Sequence, residues 1–162
     1  MQKIVLVHGR YFNSWEALGL GYIGAFIKKN APGVELEYFQ GCFDNDAEII
    51  ASCKDADIVA FSCTSPTYPH AINLARAIKA INPQIRTVVG GYHPSAGPGE
   101  CLVPGIDQVV VGEGESAMMA IINGDRSPVV HGPIMEFNDL PFPDRKLIRN
   151  ERNIEVAFAD TG

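Results

Sequence analysis

No apolar run in this sequence approaches the roughly 20 residues that span a bilayer, so no membrane-crossing segment is expected. The amino terminus, Met1-Gln2-Lys3-Ile4-Val5-Leu6-Val7, is too short for a signal peptide and lacks a cleavage-type tail. It reads as a first strand, and the expected location is the cytoplasm. Basic residues are outnumbered, 13 Lys and Arg against 19 Asp and Glu, for a net charge of −6. A protein that binds nucleic acid by neutralising phosphates needs the opposite balance. Cysteine is scarce: Cys42, Cys53, Cys63 and Cys101 make no CxxC pair and have no His at zinc-finger spacing. Four free thiols on or near core elements are therefore expected. Phosphate-binding signatures are missing as well. There is no GxxxxGK[ST] loop, and the first apolar run is followed by His8-Gly9-Arg10-Tyr11-Phe12-Asn13 instead of GxGxxG. Leu18-Gly19-Leu20-Gly21-Tyr22-Ile23-Gly24 holds those letters, but inside a helical stripe and too far past the strand. An acidic cluster after the first strand, which a receiver-type signalling domain needs, is not there either.

What is present is a regular alternation. With 46% apolar residues, 162 residues suffice for one domain with a full core. Lys3 to Val7 and Asp57 to Ser62 are near-continuous apolar runs, as are Ile85 to Val89 and Asp107 to Val111; such runs suit strands buried on both faces. Val34 to Phe39 alternates at first and reads as a strand nearer an edge. Pro128 to His131 is a candidate for a last, short edge strand. Between them, Leu20, Ile23, Gly24 and Ile27 fall at helical spacing, as do Ala71, Leu74, Ala75, Ile78 and Ile81. Asp46 to Cys53 forms a short helix, Pro98 to Leu102 at most a short one, and Gly112 to Glu115 opens a helix that buries Met118, Ile121 and Ile122. This pattern predicts βαβ crossovers: an α/β, three-layer domain with an open parallel sheet of about five strands and helices on both faces. Its bounds are 1–132. Residues 133–162 read as an extended, proline-punctuated linker in which Glu155-Val156-Ala157-Phe158 is a candidate strand.

In such a sheet, ligands sit outside the carboxyl ends of the strands. The loops there read His8-Gly9-Arg10, Ser62-Cys63-Thr64-Ser65, Gly90-Gly91-Tyr92-His93-Pro94-Ser95 and Gly112-Glu113-Gly114-Glu115. Small and hydroxyl residues predominate, a lining that suits a large polar ligand. Adjacent glycines at Gly90 and Gly91 fit either an ordinary strand-to-helix turn or a close ligand approach. Glu113 and Glu115 fit a catalytic pair or, preferably, helix N-terminal carboxylates. His93 fits a hydrogen-bonding or packing residue better than a metal ligand.

Several stretches together resemble the N-terminal cobalamin-binding domain of cobalamin-dependent radical S-adenosylmethionine enzymes. That group includes the anaerobic magnesium-protoporphyrin IX monomethyl ester cyclase type and many methyltransferases. The stretches are Ala17-Leu18-Gly19-Leu20-Gly21-Tyr22-Ile23, Asp57 to Thr64, the helix from Ala71 to Pro83 leading into Thr87 to Pro94, Asp107 to Glu115, and Leu140-Pro141-Phe142-Pro143-Asp144-Arg145. The resemblance implies a Rossmann-like (flavodoxin-like) domain with cobalamin over the strand ends. Its nucleotide tail would enter a slot beside Ser62, Thr64, Gly90 and Gly91, bordered by Gly112 to Glu115. Cys63, Ser65, Tyr92, His93, Leu18 and Gly19 complete the implied cofactor-binding set, with no catalytic residue and no metal ligand. The DxHxxG motif that supplies a cobalt-ligating His elsewhere is missing, so the implied state is base-off and His-off. The cluster motif CxxxCxxC is also missing; the 4Fe-4S cluster and S-adenosylmethionine would belong to a downstream radical barrel outside these residues. The implied partners are that barrel and a small-molecule substrate of the parent enzyme, and this domain alone would not catalyse. Two alternatives stay open: a family member that has lost cobalamin and serves as a docking or substrate-contact domain, and a flavodoxin-like nucleotide or flavin binder.

Overall fold

A computed structural model describes residues 1–12 and 15–159. Asn13 and Ser14 of the first loop, and the last three residues of the expected linker, lie outside the described residues. Six strands form one sheet: β1 (Lys3–His8), β2 (Glu35–Gln40), β3 (Ile58–Ser62), β4 (Arg86–Gly90), β5 (Gln108–Gly112) and β6 (Val129–Gly132). All pairings are parallel, in the order β2-β1-β3-β4-β5-β6. The expected count of about five strands is thus one short, and the short candidate after Pro128 is the sixth. Chain direction across the sheet reverses between β1 and β3, and this switch point opens a crevice at the strand ends.

Successive residues of β1 face opposite sides, because side chains alternate across a strand. Val5 and Val7 join Val59, Phe61 and Val89 beneath α2 (Asp46–Cys53) and α3 (Tyr68–Ile81). Ile4 and Leu6 join Ile58, Ala60, Val88 and Val110 beneath α1 (Leu18–Asn30) and α6 (Gly114–Ile122). Two short helices, α4 (Tyr92–Ala96) and α5 (Pro98–Cys101), fill the connection from β4 to β5. Helix α2 begins in a full capping box, with Asn45 and Glu48 satisfying each other's backbone amides. Pro69 lies in the first turn of α3, where its missing amide hydrogen leaves no bond unmade. Among the described residues, no helix is long and apolar enough to cross a membrane.

The segment after β6, expected to be extended, instead folds back onto the domain over residues 143–159. Glu155 to Phe158 is not a strand; it lies in α7 (Glu151–Ala159). A helix satisfies its own backbone without a neighbouring strand, and it sets Arg152 and Asn153 side by side against Asp44 and Gln40. Upstream of α7, Pro143 to Ile148 packs on α1. A Cβ on Gly21 would stand 3.3 Å from both Ile148 Cδ1 and Pro143 Cβ, and one on Gly24 would collide with Leu147. Those glycines are the dinucleotide-like letters of the sequence, and here they make room for the chain's own later segment. The Asp144 amide donates to Gly21 O at 2.9 Å, and Ile148 is wholly buried.

Candidate functional site

Parallel register brings the strand ends level. His8 pairs with Ser62, and Ser62 with Gly90, so three loops leave the sheet at one height and surround a cavity of about 840 Å³. Its floor is His8, Ser62 and Cys63; one wall runs from Trp15 to Gly19, and the other comes from Gly91, Tyr92 and Ser95 with Gly112 and Glu113. Backbone stitching holds the second wall. Cys63 N donates to Gly90 O at 2.8 Å, His93 N to Cys63 O at 3.3 Å, and Gly112 N to Ser95 Oγ at 3.2 Å. Gly91 has φ +107°, and a Cβ there would lie 2.6 Å from Cys63 O. The backbone therefore requires glycine at 91 whatever ligand is present.

Of the residues singled out from sequence, Leu18, Gly19, Ser62, Cys63, Thr64, Gly91, Tyr92, Gly112 and Glu113 line the cavity. Ser65, Gly90, His93, Gly114 and Glu115 are not among its lining residues. Gly90 looks at the sheet, its would-be Cβ 3.3 Å from Val110 Cβ. His93 hydrogen-bonds Ser65 Oγ at 3.0 Å and its ring lies 4.4 Å from that of Tyr68. Glu115 is buried in the first turn of α6, and burial raises its carboxyl pKa above the ordinary glutamate range. Glu113 is at the rim as the N-cap residue of α6, so the two carboxylates sit in different surroundings and do not form a pair.

The cofactor-binding set implied from sequence leaves out His8, Tyr11, Trp15, Pro66, Thr67 and Ser95, though all line the cavity. His8 and Ser95 stand in the strand-end loops singled out from sequence but have no place in that set, and His8 comes level with the site through its pairing with Ser62. Its Nδ1 is enclosed and has no hydrogen-bond partner among the described residues. Burial pushes its pKa down, which keeps the imidazole neutral. The Cys63 thiol is pushed up to about 12 by burial, so it is a small apolar lining group and no thiolate. Thr67 closes the β3–α3 turn, accepting from the Thr64 amide at 2.9 Å.

The Arg10 guanidinium is drawn aside to Asp46, at 2.8 and 3.0 Å, whereas Tyr11, Trp15 and the 86% exposed Tyr92 line the cavity. Burial alone would raise the Asp46 pKa, but hydrogen bonds and charge from His70 and Arg10 outweigh it and hold it low. His70 Nδ1 accepts from the Arg10 amide at 2.8 Å, which fixes the start of the first loop.

Residues 4–122 match the family model described as the B12 binding domain. The chain belongs to that family. Among curated proteins, this B12 binding domain is similar to 2-(S-pantetheinyl)-carbapenam-3-carboxylate methyltransferase of Streptantibioticus cattleyicolor, 32% identical over 81 residues, 49% of this chain and 12% of that protein. It is also similar to the anaerobic magnesium-protoporphyrin IX monomethyl ester cyclase of Rubrivivax gelatinosus, 27% identical over 135 residues, 74% of this chain and 24% of that protein. It thus spans about an eighth and a quarter of these relatives. Among solved structures, the radical S-adenosylmethionine methyltransferase TsrM of Kitasatospora setae, with cobalamin and a [4Fe-4S] cluster bound, superposes with a TM-score of 0.66 at 17% identity, over 78% of this chain and 26% of that one. That likeness is one of fold. The family assignment makes cobalamin the cofactor to test against the cavity, and the lining fits it. The site lies at the topological switch point, its lining mixes small and hydroxyl residues such as Gly19, Ser62, Thr64 and Gly91 with the aromatic Trp15 and Tyr92, and the enclosed His8 Nδ1 has no partner among the described residues.

Proposed function

We propose that this domain holds cobalamin in the carboxyl-edge cavity, base-off and His-off, and presents it to the radical S-adenosylmethionine barrel of a longer enzyme. The observation that carries the reading is a cavity of about 840 Å³ at the β1/β3 switch point of a B12 binding domain. Ser62 and Thr64 supply hydroxyls toward the ligand, while Gly19 and Gly91 leave room for it. When bound, the corrin supplies methyl transfer or radical chemistry to the parent enzyme. His8 is the one histidine among the lining residues. It belongs to β1, with its backbone position fixed between Gln40 and Ser62, and serves as wall and hydrogen-bonding group. The substrate is a small molecule that meets the cofactor at the interface with the barrel.

Reconstitution of the purified domain with hydroxocobalamin, desalting and a visible spectrum test the binding. Electron paramagnetic resonance of the reduced, cob(II)alamin form tests the coordination. The expected spectrum lacks nitrogen splitting and is the same in His8→Ala. A nitrogen triplet lost in His8→Ala contradicts the His-off state, and no retained corrin contradicts the function itself.

A further inference from the structure

The wall from Trp15 to Gly19 has little of its own to fix it. Ala17, the N-cap residue of α1, makes no side-chain cap, and the first turn of α1 has no acidic residue. What holds this entry comes from elsewhere. Gln40, the last residue of β2, is 0% exposed. Its Nε2 donates to Trp15 O at 2.9 Å, and its Oε1 accepts from Tyr38 Oη at 3.0 Å and from Asn153 Nδ2 at 3.3 Å. The Gln40 amide donates to Asp44 Oδ2 at 2.8 Å. Asp44 in turn receives Arg152 Nη1 at 2.8 Å and Arg149 Nη2 at 3.2 Å. A second link joins the same wall to the same segment: Arg145 Nε donates to Glu16 Oε1 at 3.0 Å.

We infer that residues 143–153 are a positioning element of the cavity, acting through Gln40 on Trp15 and through Arg145 on Glu16. A buried amide with its acceptor doubly used has one orientation open to it, because any rotation leaves polar groups unpaired in a low-dielectric interior. The orientation of Gln40 therefore sets where Trp15 O sits, and Asn153 helps set the orientation of Gln40. Such coupling is reciprocal by thermodynamic necessity. If the docked segment favours the wall that receives the ligand, ligand against that wall favours the docked segment. The position of residues 143–153 and occupancy of the cavity are then read by one another. This inference rests on the cobalamin reading above.

The test uses the 162-residue chain and hydroxocobalamin. Hydrogen exchange of the α7 amides is compared with and without the corrin, and affinity is measured for the chain, Gln40→Met and Arg145→Gln. The expected result is slower exchange across α7 when the corrin is bound, and affinity lower by roughly five- to tenfold in each variant. Arg145 is exposed, so its variant keeps the test valid should Gln40→Met fail to fold. A chain that binds the corrin with unchanged α7 exchange, or an Arg145→Gln variant with unchanged affinity, overturns the coupling and leaves the cofactor reading standing. A chain that binds no corrin overturns both.

Discussion

At the amino ends of the central strands, carboxylates stand where backbone amides need partners. Asp57 accepts from the Lys3 amide and Asp107 from the Thr87 amide, both at 2.8 Å. Lys3 adds ion pairs to Glu37 and Asp55, and Lys79 one to Asp107. Hollows at this end reach about 300 Å³ and are lined mainly by polar and charged residues, Asp55 and Asp57 among them. At the carboxyl ends the cavity is nearly three times as large, and the buried His8 Nδ1 there has no partner among the described residues. Each end has a buried polar atom with no partner among the described residues, Gln108 Oε1 at the start of β5 and His8 Nδ1 at the end of β1. An unpartnered polar group alone therefore does not mark the ligand site; the larger cavity at the carboxyl end does.

Four substitutions sharpen that contrast. The largest effect is expected for Gly19→Phe. Nothing lies within 4 Å of a Cβ at Gly19, so an aromatic ring enters the cavity without straining the backbone. Corrin affinity should fall about a hundredfold or more, close to 3 kcal/mol, with Tm unchanged or raised, since glycine is a poor helix former. Isothermal titration and a thermal melt read the two quantities. Next is Gly91→Ala, which forces a side chain to positive φ against Cys63 O. Stability should fall by about 1–3 kcal/mol in urea denaturation, and an unchanged midpoint would mean the loop is freer than its hydrogen bonds suggest. At the opposite pole, Asp107→Ala removes the acceptor for Thr87 N and Oγ1. It should lower stability by about 1–2 kcal/mol and leave corrin affinity alone. If affinity falls as well, the two ends are not independent.

The smallest effect belongs to Glu115→Gln. Burial raises the Glu115 pKa, so above the ordinary value near 4.5 the folded state holds its proton longer than the unfolded state does. Stability therefore declines as pH rises from that value through the folded pKa. The glutamine variant lacks this decline. Its Tm should exceed that of the parent at pH 7 by no more than about 4 °C, and the two should converge near pH 4.

Much of this architecture was legible in the chain. Apolar runs gave the strands, and the spacing of Ala71, Leu74, Ala75 and Ile78 gave α3, because two-sided burial leaves an unambiguous local pattern. The later segment was not legible. Glu155 to Phe158 favours a strand by local propensity, but the partners that make it a helix, Asp44 and Gln40, lie more than 100 residues away in sequence. Gly21 and Gly24 likewise had no visible reason until Leu147 and Ile148 were seen against them. At the site, the loops rich in glycine and hydroxyls were found. His8 and Ser95 were in those loops without an assigned place, and Thr67 was outside them; where Ser95 and Thr67 stand depends on hydrogen bonds accepted from Gly112 N and Thr64 N that spacing does not show.

Trp15 is the chain's one tryptophan and lines the cavity. Titration of the domain with hydroxocobalamin, read by Trp15 fluorescence and by retention of the corrin after desalting, tests the central claim most directly. The predicted result is saturable quenching with corrin retained at one per chain, and neither in Gly19→Phe. Saturable binding that Gly19→Phe leaves intact, or no binding by the parent chain, would contradict the placement of cobalamin in this cavity.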